Sequence, residues 1–191
     1  MGVIDIGQKF QSKDIIRSIC HWNAQRYDQE HNHRLSVALL AEEHTEYLLA
    51  WIDKDLIEIV DGLADVFFVA VGAMWKHGWS PKHIMEQMDA MQNDVVFELE
   101  GIAIGIDIYA HTEQVELLAY IALKALEELE DITNEEAAMG IVRAVITSNA
   151  TKDAKKTKPG TKANITKGQF YTSPVEEIKR ILDGLEQANV D

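Results

Sequence analysis

The chain has 191 residues, 47% apolar and 26% charged, with a formal net charge of −14. That length buries a substantial core, the 3 Pro and 11 Gly argue against a turn-rich β protein, and the one cysteine, Cys20, excludes an internal disulfide and a cysteine-based zinc site. The acidity makes the body a poor partner for nucleic acid, whose phosphates need a basic face, and the lack of a basic-then-apolar leader pattern makes the cytoplasm the expected compartment.

Nearly every long segment has the period of a helix. Residues 13–29 place Ile15, Ile16, Ile19, Trp22 and Tyr27 on a loosely apolar face, and residues 34–52 do the same with Leu35, Ala38, Leu39, Leu49 and Ile52. Residues 55–77 are the most apolar stretch of the chain. Ser80-Pro81 supplies a cap and a first-turn proline, predicting a helix to about residue 99. The run Gly101-Ile102-Ala103-Ile104-Gly105 reads as a break or a short extended piece. Residues 112–130 carry Val115, Leu118, Ala119, Ala122, Ala125, Leu126 and Leu129 at helical spacing. Thr133 with Glu136 fits a capping box that opens a helix to about 149. Residues 151–172 are polar and aperiodic, a loop or lid, and Ser173-Pro174-Val175-Glu176 opens a last helix to about 188. The expectation is an all-α bundle, with residues 1–150 as its core and 151–191 as a basic loop and terminal helix of the same domain.

Charge is unevenly distributed. Residues 1–150 carry a net −16 and residues 151–191 a net +2, with Lys152, Lys155, Lys156, Lys158, Lys162 and Lys167 set within sixteen residues. Within the apolar segment 56–75 the only charges are Glu58, Asp61 and Asp65. At helical pitch these three share an arc of about 60°, while the rest of the circumference is apolar and must be buried. Three acids make a membrane span too costly. Buried carboxylates in a row repel one another and need a cation between them. The preceding helix offers no base in the right place, but adds Glu42, Glu43 and Glu46. A short link at Asp53-Lys54 should fold the two helices antiparallel, so that the acidic arcs converge into an oxygen-ligand cage for a hard divalent cation.

The pattern Glu42-Glu43-x-x-Glu46, followed after eleven residues by Glu58-x-x-Asp61, resembles the EExxE…ExxD signature of the all-α nucleoside triphosphate pyrophosphohydrolases. That superfamily includes MazG-like proteins, dimeric dUTPases and phosphoribosyl-ATP pyrophosphohydrolases. Asp61-Gly-Leu-Ala-Asp65-Val-Phe-Phe with Gly72 is similar to its third helix. Downstream, Ser148-Asn149-Ala150-Thr151-Lys152, then Lys167-Gly168-x-x-Tyr171-x-x-Pro174 and Ile178-x-x-Ile181-Leu182, resembles the end of phosphoribosyl-ATP-pyrophosphohydrolase-like proteins, many of them phage-encoded. The resemblance covers about 30–78 and 139–182; residues 79–138 and the lysines of 153–163 depart from it.

The resemblance implies Mg²⁺-dependent cleavage, with Mn²⁺ as an alternative ion, of a ribo- or deoxyribonucleoside triphosphate to the monophosphate and pyrophosphate. It assigns Glu43, Glu46, Glu58, Asp61 and Asp65 to metal, Asp65 supporting the first ion or holding a second. It assigns Glu42 to the general base or a second ion, and Asn149, Lys152, Lys167 and Tyr171 to the substrate. It also implies a homodimer or homotetramer, and the host cytoplasm if the protein is phage-encoded. Trp22 and Trp51 read as core or interface aromatics in preference to nucleobase stacking platforms, and Asn32 and His33 as candidate neighbours of a base pocket. Two other readings compete. A non-catalytic helical interaction protein would keep these acids as a degenerate site. A di-iron bundle needs two Glu-x-x-His pairs, of which only Glu30-x-x-His33 is present.

Overall fold

The most apolar segment becomes the central helix. In the computed structural model, which describes residues 8–93, 101–155 and 164–188, helix α3 (Leu56–Lys76) packs against α1 (Gln8–Arg26), α2 (His33–Asp53), α4 (Pro81–Asn93), α6 (Glu116–Ile132), α7 (Glu135–Thr151) and α8 (Val175–Ala188). Val60, Leu63, Val66, Val71 and Met74 of α3 are wholly buried, each contributing about 1.5–3 kcal/mol relative to exposure. The remaining helix, α5 (Ile102–Thr112), leans on α2 and α6. No helix among the described residues is long and apolar enough to cross a membrane.

The link between α2 and α3 is as short as the sequence suggests. Lys54 adopts a left-handed conformation (φ 58°) that ends α2, and the Asp55 carboxylate caps α3 by accepting from the backbone N–H groups of Ile57 and Glu58 at 3.1 and 3.2 Å. The helices then run antiparallel. Tyr47 faces Gly62, where an added Cβ would lie 3.0 Å from the Tyr47 Cα and Cβ. Glycine at 62 therefore sets how closely the two acid-bearing helices approach.

Four local expectations change. The run Gly101–Gly105 is not a break. Only Gly101 (φ 93°) interrupts the chain, and Gly105 lies inside α5. A Cβ on Gly105 would come 2.9 Å from Ile121 and 3.0 Å from Tyr120, so this glycine serves the contact with α6. The cap of α7 is Asn134, whose side chain accepts from the Ala137 N–H at 2.9 Å, rather than Thr133, whose hydroxyl donates back to the Leu129 carbonyl at 2.7 Å. Both are good capping residues, and backbone geometry selects the later one. The 151–172 segment is not wholly irregular: β1 (Asp153–Lys155) and β2 (Asn164–Thr166) pair antiparallel, Asp153 opposite Thr166. Three-residue strands carry too little alternation to be read from sequence. Helix α1 ends at Arg26, short of 29. Residues 94–99 of the expected fourth helix, and Lys156, Lys158 and Lys162, lie outside the described residues.

Ser80 caps α4 as expected, accepting from the His83 N–H at 3.2 Å. The Ser173 hydroxyl accepts from the Val175 N–H at 3.4 Å, and α8 docks on α7 and α3 through the fully buried Ile178.

Candidate active site

The α2–α3 hairpin puts both sets of acids on one side of the bundle at different depths. Glu42, Glu46 and Glu58 are exposed, whereas Glu43, Asp61 and Asp65 are partly buried. Burial is the main force raising the Glu43 carboxyl to about 8, with Asp65, Glu46 and Glu42 adding repulsion and Lys152 opposing it. Asp61 rises to about 7 for the same reason, with Asp65 and Glu58 adding to burial and Lys152 and Lys167 pulling down. Asp65 is also raised by burial, less so because Lys152, Lys167 and a hydrogen bond from Asn149 favour its charged form. The Oδ1 atom of Asp61 is buried without any hydrogen-bond partner. All six acids thus sit in one electrostatic neighbourhood, answered by two lysines from beyond α7.

Glu43 and Asp65 form part of the wall of a cavity of about 270 Å³. At the same end are Asn149, Lys152 and Lys167. Asn149 is held on both sides, since its side chain bonds Asp65 and its carbonyl accepts the Trp22 indole N–H at 2.9 Å. Lys167 lies 5.0 Å from the Tyr171 ring centre, and Tyr171 itself stands off the cavity wall, its N–H turned back to the Gly168 carbonyl. The opposite part of the cavity is apolar and aromatic, formed by Trp22, Tyr27, Leu35, Leu39, Phe68 and Val69, with Asn23, Gly72 and Lys76 among them. Trp22 packs edge-on against Phe68 with ring centres 5.1 Å apart.

Sequence reasoning missed this second half. Helix α1 supplies Trp22 and Asn23, with Tyr27 just past its end, yet its amphipathic pattern gives no hint that its apolar face borders a cavity. The one available signal was a charged residue, Lys76, at the far end of the α3 stripe that carries the acids.

The donor set at the acidic end is all oxygen, suited to a hard divalent ion, and the unpartnered Asp61 oxygen fits such a role. As the side chains stand, no three His, Cys, Asp or Glu residues among those described are gathered closely enough to hold a metal ion. Glu46 and Glu58 are exposed and able to reorient. The histidines offer no alternative. His31 stacks on His77 at 3.4 Å, His33 packs on Tyr109, and neither borders the cavity. Asn32, also read as a possible neighbour of the base, is instead the cap of α2, accepting from the Leu35 N–H at 3.0 Å. Glu30 lies in the α1–α2 linker, not on a helix face where a di-iron ligand pair would sit.

The class indicated for this bundle, a pyrophosphohydrolase acting on acid anhydrides, rests on a family match over 81 of the 191 residues. Residues 12–92 match the family model of phosphoribosyl-ATP pyrophosphohydrolase, within the MazG-like all-α nucleoside triphosphate pyrophosphohydrolase superfamily. The matched segment holds all six carboxylates, while Asn149, Lys152, Lys167 and Tyr171 lie beyond it. No curated protein and no solved structure matches the chain.

Proposed function

We propose that this protein hydrolyses a ribo- or deoxyribonucleoside triphosphate between the α- and β-phosphates, releasing the monophosphate and pyrophosphate, with Mg²⁺ or Mn²⁺ as cofactor. The observation that carries the reading is the pairing, at one end of one cavity, of acids raised by burial with Lys152 and Lys167. A triphosphate cannot approach those acids unaided. A bound divalent ion supplies charge neutralisation and activation of water. Glu43, Glu46, Glu58, Asp61 and Asp65 are the groups that would hold it. Glu42, exposed at the rim, accepts the proton of the attacking water. Lys152 and Lys167 meet phosphate oxygens as point charges. Asn149 orients Asp65 or the substrate, and Tyr171 steadies the Lys167 segment over the site.

Residues 151–191 act with residues 1–150 as one domain, since Lys152 and Lys167 border the cavity and α8 packs on α7 and α3. Leu48, Leu49, Trp51, Ile52 and Leu56 leave an exposed apolar corner where α2 meets α3, which supports a homodimer or homotetramer. The partner is a nucleotide rather than nucleic acid or membrane, and the compartment is the cytoplasm, the host's if the protein is phage-encoded. The test is a pyrophosphate-release screen over the common NTPs and dNTPs, dUTP and phosphoribosyl-ATP, with Mg²⁺ and with EDTA. Release that EDTA abolishes is expected, and no release from any of them overturns the reading.

A further inference from the structure

The stripe of α3 that carries the acids does not stop at Asp65. Val69, Gly72, Ala73 and Lys76 continue it along the cavity wall, so Lys76 stands about 16 Å along the helix axis from Asp65. This lysine has an unusual setting. Its ammonium sits 4.2 Å over the Tyr27 ring, and no carboxylate among the described residues forms an ion pair with it. Burial lowers its pKa, with no compensating acid. A π face therefore takes the place of a counter-ion, and the donors not turned to the ring need an acceptor.

Asn23, which lines the same cavity, is 3% exposed. Its Nδ2 donates to the Ile19 carbonyl at 2.9 Å, which orients the amide and leaves Oδ1 as an acceptor. The amide packs directly against Gly72, where a Cβ would come 2.9 Å from Nδ2. The apolar part of the cavity thus offers aromatic walls with a fixed donor, the Lys76 ammonium, and a fixed acceptor, the Asn23 oxygen.

We infer that Lys76 and Asn23 make the site selective for nucleotides with an oxo base, a 4-oxopyrimidine or 6-oxopurine, over those with an amine at that position. This rests on the function proposed above, because it places the α-phosphate at the carboxylate end and the base toward Gly72 and Lys76. An ammonium has donors only. A ring carbonyl satisfies it, and the neighbouring ring N–H satisfies the Asn23 oxygen. Cytosine or adenine reverses both groups, setting amine against ammonium and a ring-nitrogen lone pair against a carbonyl oxygen. Buried polar groups would then be left unpaired, the circumstance in which a site discriminates most strongly between near-isosteres.

The test uses the full chain and two readouts. The first is kcat/KM for pyrophosphate release from UTP against CTP and from GTP against ATP, for the wild type, Lys76→Met and Lys76→Gln. The second is equilibrium binding of UMP against CMP with Mg²⁺ present, by calorimetry. The wild type should favour the oxo base of each pair by about ten-fold or more. Both variants should bring each ratio to near unity, chiefly by raising KM for the oxo substrates. A wild type that favours amine bases overturns the inference. So do UMP:CMP binding ratios that neither substitution changes. Should no triphosphate be cleaved, the proposed function fails, and the two monophosphate affinities still decide the base-reading role. Should Lys76→Met not fold, Lys76→Gln and the wild-type ratios decide it.

Discussion

Asn149, near the end of α7, donates a hydrogen bond to the carboxylate of Asp65 in the middle of α3. The bond ties the downstream motif to the acidic hairpin and opposes the effect of burial on Asp65. Trp22 of α1 steadies the same residue through its backbone carbonyl, so three helices converge on one carboxylate.

Removing the Asn149 amide should therefore be felt at the acids. Asn149→Ala is expected to lower kcat/KM by about 10–100-fold, as loss of a partner that orients a ligand does. The acidic limb of its pH–rate profile should move to higher pH, because Asp65 loses a bond to its charged form. Trp22→Phe keeps the apolar contact with Phe68 but loses the indole bond, and should give a smaller effect in the same direction. Steady-state pyrophosphate release across pH 5–9 measures both.

The raised carboxyls also set a pH dependence of stability. In the unfolded chain they ionise near ordinary values of about 4; in the fold Glu43 and Asp61 rise to about 8 and about 7. The native state then binds more protons than the unfolded state over that interval, and stability falls as pH rises from about 4 to about 8. Glu130, raised to about 7 by burial and by Glu135, Glu127 and Asp131, adds to the same slope away from the site. Mg²⁺ binds the ionised carboxylates, so it should raise Tm at pH 8 and do little at pH 5. Thermal melts with Mg²⁺ and with EDTA at both values provide the comparison; an unchanged Tm at pH 8 would count against a metal site.

Substituting single acids should separate catalysis from stability. Asp61→Asn and Glu46→Gln should each reduce turnover by at least about 100-fold, if each holds the ion that activates water. Asp61→Asn should also leave the metal-free protein as stable or more so, since an unpartnered buried acid is a liability. Full activity in both variants, with unchanged circular dichroism, would remove these residues from the site.

Gly62 offers a packing test of the same hairpin. Gly62→Ala forces a methyl group to 3.0 Å from the Tyr47 backbone, which should cost about 1–3 kcal/mol. Tm should fall by roughly 2–4 °C per kcal/mol for a chain of this size. Activity should fall further than the population of folded protein explains, because α2 and α3 are pushed apart across the acids they share. Melts and kinetics on one preparation distinguish the two losses.

Much of the site was legible because the hairpin is local. Glu42, Glu43 and Glu46 lie within sixteen residues of Glu58, and a two-residue link leaves one way for the helices to fold back. The apolar surround of Asp61 and Asp65 announced their burial. The glycines were less legible. Gly101 and Gly105 look alike in sequence, yet one precedes α5 at positive φ and the other admits Ile121 and Tyr120 to the helix surface. Only the neighbour distinguishes them.

What the sequence determines by itself is the helical class, the acidic hairpin and the contrast between an acidic body and a basic tail. Each follows from periodicity, capping and charge within a few turns of chain. What only the tertiary structure decides is which remote residues share one cavity: Asn149 and Lys152 at the acidic end, Asn23, Tyr27 and Lys76 at the other. Amphipathic faces are interchangeable in sequence, and their pairing is set by how the whole bundle closes around α3. The net charge of −14 therefore conceals a cavity with two differently charged ends, one bordered by carboxylates and two lysines, the other holding a single ammonium against a ring.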